Sequence, residues 1–103
     1  MVHRLMVSYG TPEDPETFDA YYRDIHTPLA LKQPGVLALT VGRPRSLDPS
    51  HTVPYHVADL DFESEQAMHE TLASPEGRAA AKDLANFATG GVTFAHFDVL
   101  TVG

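Results

Sequence analysis

The amino-acid sequence predicts an α+β domain of order β-α-β-β-α-β around a four-stranded antiparallel sheet. Three observations predict it. Four segments alternate in apolar character with the two-residue period of a strand, as in Leu5, Val7 and Tyr9. Two helical segments open on a capping residue followed by proline, Asp14-Pro15-Glu16 and Ser74-Pro75-Glu76. Gly and Pro residues punctuate the boundaries between the periodic segments. The length, 103 residues, fits one domain.

Val2 to Tyr9 reads as the first strand, stopped by Gly10-Thr11-Pro12. Asp14 can then accept a backbone N–H as N-cap, Pro15 suits the first helical position, and Glu16 complements the positive end of the dipole. Phe18, Tyr21, Tyr22, Ile25 and Leu29 follow at mostly three- and four-residue spacing, one apolar face of a helix. Pro28 has no N–H for the carbonyl four residues back, so the helix is expected to end or kink near His26 and Thr27. Pro34-Gly35 closes the segment.

Val36 to Arg43 reads as the second strand, Pro44 to Thr52 as a polar loop, and Val53 to Phe62 as the third strand. Pro54 implies that the start of this third strand is unpaired. Ser64 can cap a helix running to about Ala73, and Ser74-Pro75 starts a further helical segment to about Phe87 or Ala88. Gly90-Gly91 ends it, and Val92 to Val102 is the last strand. This is the split βαβ order of ferredoxin-like folds.

Right-handed crossovers place both helical segments on one side of the sheet. The strands carry apolar residues of both parities: Val2 and Met6 oppose Leu5, and Ala95, Phe97 and Val99 oppose Phe94. The other side is therefore expected to be apolar and uncovered by the chain itself. Such a patch predicts a homodimer through the open sheet face.

Charge and composition exclude several classes of function. Fourteen acidic residues against seven basic ones give −7, the wrong sign for binding nucleic acid or an anionic membrane. The absence of cysteine removes thiolate nucleophiles, disulfides and Cys-ligated metals. It also fits a cytoplasmic location better than a secreted one. The first residues hold no apolar stretch of signal-peptide length, and no run approaches the roughly 20 residues of a membrane span.

The run from Phe18 through Tyr21-Tyr22-Arg23-Asp24-Ile25-His26-Thr27-Pro28-Leu29-Ala30, followed by Pro34-Gly35, resembles the EthD family. So does the stretch from Ser74-Pro75-Glu76-Gly77 to Asp83-Leu84-Ala85-Asn86-Phe87. The resemblance covers essentially the whole chain and implies a dimeric α+β barrel with a cleft between helices and sheet in each subunit. Members of that wider superfamily use such clefts for cofactor-free oxygenation, lactone isomerisation and polyketide cyclisation, and some bind haem. The haem-degrading branch typically uses an Asn, Trp and His constellation, and this chain has no Trp. No cofactor is expected.

His26 is the first candidate catalytic residue. It lies one turn after Tyr22 and two after Phe18, on a stripe expected to face the sheet. Imidazole is the side chain best suited to move protons near neutrality. The competing reading is a histidine that simply favours the negative end of the helix dipole. Tyr22 can orient His26 or donate to a substrate oxygen, and Phe18, Tyr9 and Tyr55 can line the cleft or merely fill it. His56 and His96 share strand parity with Leu60 and Phe94 respectively; each reads either as a hydrogen-bonded core histidine or as a substrate-binding residue beside the cleft, and parity alone does not put either on the face of His26. No histidine spacing reads as a metal site: His51 and His56 lack further ligands, and His69 is expected on an exposed helix face. Asp59 and Asp61 read as a solvated strand end, and Arg43 as a surface ion-pair partner.

Two functional classes share these residues. One is a cofactor-independent oxygenase, isomerase or cyclase acting on a small apolar or aromatic oxygenated metabolite, with His26 in proton transfer. The other is a non-catalytic binding or accessory protein of a catabolic oxygenase pathway, in which the same cleft only holds the hydrophobic ligand.

Overall fold

The computed structural model describes all 103 residues. Its strands are β1 (His3–Tyr9), β2 (Ala38–Gly42), β3 (His56–Phe62) and β4 (Val92–Asp98). The helices are α1 (Pro15–Tyr21), α2 (Thr27–Leu31), α3 (Glu65–Ala73) and α4 (Pro75–Asp83). A π-helical turn, Tyr22–His26, joins α1 to α2, and a 3-10 turn, Leu84–Asn86, follows α4. The strands form one antiparallel sheet in the order β2-β3-β1-β4, the ferredoxin-like α+β arrangement. No helix is long and apolar enough to cross a membrane.

The strands are shorter at their outer ends than the sequence suggests, because their partners run out. His3 of β1 pairs with Asp98, so beyond that point β4 has only the Val2 carbonyl to bind, which accepts from Val99 N–H at 2.9 Å. β3 starts at His56 instead of Val53. Tyr55 N–H still reaches the Tyr9 carbonyl at 2.8 Å, but Pro54 before it has no N–H to offer. β2 is an edge strand that pairs only with β3.

Asp14, Ser64 and Ser74 each accept a backbone N–H as N-caps, fixing the starts of α1, α3 and α4. Pro28 neither ends nor sharply breaks the first helical segment. The turn before it widens instead, with Thr27 N–H bonding the Tyr22 carbonyl five residues back. This widening has a packing consequence. Phe18, Tyr22, His26 and Ala30 are all buried, a strict four-residue spacing. In a regular α-helix such a stripe drifts by about 40° at each step. The π turn takes up that drift and keeps all four side chains on the sheet. Ile25, assigned to the apolar face by periodicity, is consequently turned outward and is 47% exposed.

The helices cover β1 and β3, whose helix-facing residues alternate as buried positions: His3, Leu5, Val7 and Tyr9 on one, His56, Ala58, Leu60 and Phe62 on the other. With Phe18, Tyr22, Met68 and Phe87 they form the core. β4 lies largely beyond the helices, leaving Phe94 56% exposed on the same face. The opposite face is uncovered, as expected, but it is not uniformly apolar. Register places Arg4, Ser8, Asp59, Asp61, Thr40 and Thr93 among Met6, Val57, Ala95 and Phe97. Arg4 holds Asp61 through two hydrogen bonds, at 2.8 and 3.2 Å. The two aspartates thus sit within the sheet face and not at a solvated strand end.

α4 packs closely on α3 because Gly77 has no side chain. A Cβ there would lie 2.8 Å from the Leu72 Cα and closer still to the Thr71 carbonyl oxygen, both of them backbone atoms that cannot swing aside. Gly77→Ala is therefore expected to lower the unfolding free energy by about 1–3 kcal/mol in a urea titration. An unchanged midpoint would contradict this packing.

Candidate active site

Between the helices and the sheet lies a cavity of about 70 Å³ whose walls are mostly apolar. Leu5, Val7, Ala58 and Leu60 form its floor from the central strands, while Ala80 and Leu84 close it from the helical side. Its polar lining includes Tyr9, Tyr22 and His26. The exposed Phe94 also borders it, so the cavity reaches the surface at the β4 side.

His26 is held by a residue distant in sequence. Its Nδ1 lies 2.9 Å from Asp83 Oδ2, and both side chains are 7% exposed. A carboxylate can only accept, so Nδ1 carries the proton and donates it. Tyr21 O–H donates to Asp83 Oδ1 at 2.5 Å, and Asn86 Nδ2 donates to the same oxygen at 2.9 Å. Burial works to raise the Asp83 carboxyl, but the hydrogen bonds from Tyr21, Asn86 and His26 outweigh it and hold the group below its ordinary range. An ionised, fully engaged Asp83 thus fixes the ring orientation and tautomer of His26. The remaining nitrogen, Nε2, has no protein partner and faces the cavity.

Tyr9 and Tyr22 meet edge to face, their ring centroids 5.7 Å apart. Their hydroxyls are bonded to no other group of the protein, and both residues line the cavity. Burial pushes the Tyr22 hydroxyl up to about 12. Burial, together with Tyr22 and Asp83, pushes Tyr9 higher still. Both remain protonated donors across the physiological range. The cavity therefore presents two tyrosines, one imidazole and the Gln33 amide, whose Nε2 donates to the Ala30 carbonyl at 3.0 Å, within a mostly apolar wall.

The other residues predicted from sequence are divided. Phe18 does not line the cavity but stacks behind Tyr22, centroids 5.9 Å apart and 13° from parallel. His56 meets the same tyrosine edge to face at 4.4 Å and also contacts Phe18, their ring centroids 5.7 Å apart. Its Nδ1 accepts from Arg43 Nε at 3.1 Å, while its Nε2 is buried without a partner. Burial, reinforced by the Arg43 charge, lowers His56 to about 4, so it stays neutral. Tyr55 is drawn outward by a hydrogen bond to Asp19 at 3.0 Å and by Arg43, which lies 4.2 Å from its ring centre. Arg43 itself is an ion-pair partner of Asp19. His96 lies outside the cavity, bonded to His3.

Asp83, Tyr21 and Asn86 carry the network and are not apparent from spacing. One signal was present: Asp83 is a carboxylate in the last turn of a helix, where the dipole disfavours it. Acidic residues so placed need a compensating partner, and His26 with Tyr21 and Asn86 supplies it.

A two-layer ferredoxin-like domain with a polar triad in an apolar cleft defines a class of small α+β proteins. The chain belongs to the EthD family, whose EthD domain model matches residues 11–91. An uncharacterized 11.0 kDa protein from the thcB-thcC intergenic region of Rhodococcus erythropolis is 42% identical over 98% of both chains. An ethyl tert-butyl ether degradation (EthD) family protein from Bacillus halodurans superposes with a TM-score of 0.87 at 27% identity, covering 97% of this chain and 100% of that one. At 17% identity, SnoaB, a cofactor-independent oxygenase from Streptomyces nogalater, shares the fold with a TM-score of 0.68 over 99% of this chain and 97% of its own. A dimeric ferredoxin-like protein of unknown function from Thermobifida fusca does so at 15% identity and a TM-score of 0.69, over 96% and 92%.

The neutral His56 has a consequence for acid stability. Between about 6.5 and 4 the unfolded chain binds a proton at this position that the folded chain refuses, so stability falls as pH drops through that window. Below it, the lowered Asp83 carboxyl adds a second loss as it is protonated. In His56→Phe the slope of unfolding free energy between pH 6.5 and 4 is expected to be shallower by up to one proton, at most about 1.4 kcal/mol per pH unit. Urea titrations at several pH values measure this directly, and parallel slopes would contradict the assignment.

Proposed function

We propose that this protein is a homodimeric, cofactor-independent enzyme acting on a small apolar or aromatic oxygenated metabolite, with His26 as the proton-transfer group. The observation that carries the proposal is the His26–Asp83 pair. It leaves a free Nε2 facing an apolar cavity that also holds two unpartnered tyrosyl hydroxyls. The fold it shares with SnoaB, described as a cofactor-independent oxygenase, supports the reading as an analogy of scaffold.

In this reading Nε2 removes a proton from an acidic C–H or O–H adjacent to a substrate oxygen. The imidazolium so formed is stabilised by Asp83, which already accepts from Nδ1. Negative charge developing on the substrate oxygen meets the Tyr22 and Tyr9 hydroxyls, which stay protonated and donate to it. Return of the proton to a different substrate atom is an isomerisation; attack of the carbanion on an internal carbonyl is a cyclisation. Both need the same first step. The cavity, at about 70 Å³, is smaller than the 150 Å³ or so that admits benzene, so a ring substrate requires Phe94 at the rim to move aside.

The first step can be tested without knowing the full reaction. Small lactones, hydroquinones and cyclic β-dicarbonyls are incubated with the protein in D₂O, and loss of the acidic proton is followed by NMR. Exchange catalysed by the wild type is expected to fall at least about 100-fold in His26→Ala. It should fall by a similar or smaller factor in Asp83→Asn, which weakens the hold on the ring. Equal exchange in His26→Ala would remove the assignment. Binding of the same compounds without exchange would instead favour the accessory-protein reading.

The dimer is supported by the uncovered sheet face, where Phe97 is 44% exposed, and by relatives described as dimeric. Light scattering at micromolar concentration is expected to give about twice the 11.2 kDa chain mass. A mass equal to a single chain would exclude it.

A further inference from the structure

Four side chains able to bind a metal, three histidines and a glutamate, converge at the other end of β1, outside the cavity. Strand register is the reason. His3 stands opposite Asp98 and diagonal to His96 on the helix-facing side of the β1–β4 ladder. The first turn of α3 passes the same place and presents Glu65, with His69 one turn later. His3 Nε2 lies 2.8 Å from His96 Nδ1, and one ligand atom from each of His3, Glu65 and His96 falls within 4.8 Å of the others. His69 Nε2 is 3.1 Å from Glu65 Oε2, and its ring centre is 5.9 Å from that of His96.

We propose that His3, His96 and Glu65 form a binding site for a divalent transition-metal cation of the zinc type, with His69 or water in the fourth position. The donor set, imidazole nitrogens and a carboxylate, is one that such ions prefer and that magnesium or calcium do not. Zn–N bonds of about 2.0–2.1 Å put two ligating nitrogens of a tetrahedral ion about 3.3 Å apart, so the His3–His96 contact needs to open by only about 0.5 Å.

The surroundings of His3 match those of a metal-ligating histidine. His3 is 3% exposed, and its Nδ1 is 2.7 Å from Asp98 Oδ1. A carboxylate on the rear nitrogen fixes the tautomer with the lone pair of Nε2 directed forward, the support that ligating histidines commonly have. With that lone pair forward, the 2.8 Å contact requires His96 to carry its proton on Nδ1. Ligation through Nδ1 shifts that proton to Nε2, which can reach solvent because His96 is exposed. The change is one of tautomer, so no proton is lost from the pair. Glu65 and His69 are also exposed, which gives the ion a path to the site.

The test is calorimetric titration of chelator-treated protein with zinc chloride. Wild type is expected to bind one ion per chain. His96→Ala and Glu65→Gln, both at exposed positions, should weaken that binding at least tenfold. Asp98→Ala, which touches no ion, should weaken it by about ten- to a hundredfold. His51→Ala removes a histidine far from the cluster and should leave the affinity unchanged. Zinc should also raise the thermal midpoint of wild type but not that of His96→Ala, and cobalt(II) should give the visible absorption of a tetrahedral nitrogen–oxygen site. Absence of one-to-one binding would overturn the proposal. So would wild-type affinity in His96→Ala, or a loss in His51→Ala equal to that in His96→Ala, which marks scattered surface binding.

Discussion

Everything in this fold is registered on β1. It is the only strand paired along its full length on both sides, with β3 and β4. Its helix-facing residues are His3, Leu5, Val7 and Tyr9 in strict alternation. The two apolar members make the cavity floor, Tyr9 supplies a hydroxyl to one end of the row, and His3 stands at the other end among its histidine and carboxylate neighbours. A slip of one residue in this pairing would send all four side chains to the opposite face. The core, the cavity and the histidine cluster would be lost together.

The second constraint is that the helices cover only the two central strands. A layer that reached over β4 would have buried Phe94 and sealed the cavity. The observed width puts His26 and Asp83 under cover while keeping a way in past Phe94. The π turn completes this arrangement, because without its extra width Ala30 would rotate away from the sheet that Phe18, Tyr22 and His26 already face.

Most of the fold was legible in the sequence because its signals are local. Cap-then-proline pairs at Asp14-Pro15 and Ser74-Pro75 mark helix starts, and alternation through Leu5, Val7 and Tyr9 marks a buried strand. The mixed polarity of the open face does not follow from the apolar residues alone. Arg4, Asp59 and Asp61 have the same parity and pair across the strands. The site was legible only in part. His26, Tyr22 and Tyr9 stand at positions whose orientation follows from period and parity. Asp83 does not, since the contact with His26 spans 57 residues and depends on how α4 docks. Likewise the approach of His3, Glu65 and His96 depends on strand register and on the path of α3, neither of which leaves a spacing pattern to find.

The polarity of the three free groups in the cavity also limits what can occupy it. Two hydroxyls that donate and one nitrogen that accepts ask for a guest with an oxygen acceptor beside a proton it can give up. A plain hydrocarbon of the right size would fit the apolar walls yet strand all three groups away from water, and sites built in this way reject such guests by large factors. Under the proposed function, the cavity therefore selects against the molecules its walls most resemble.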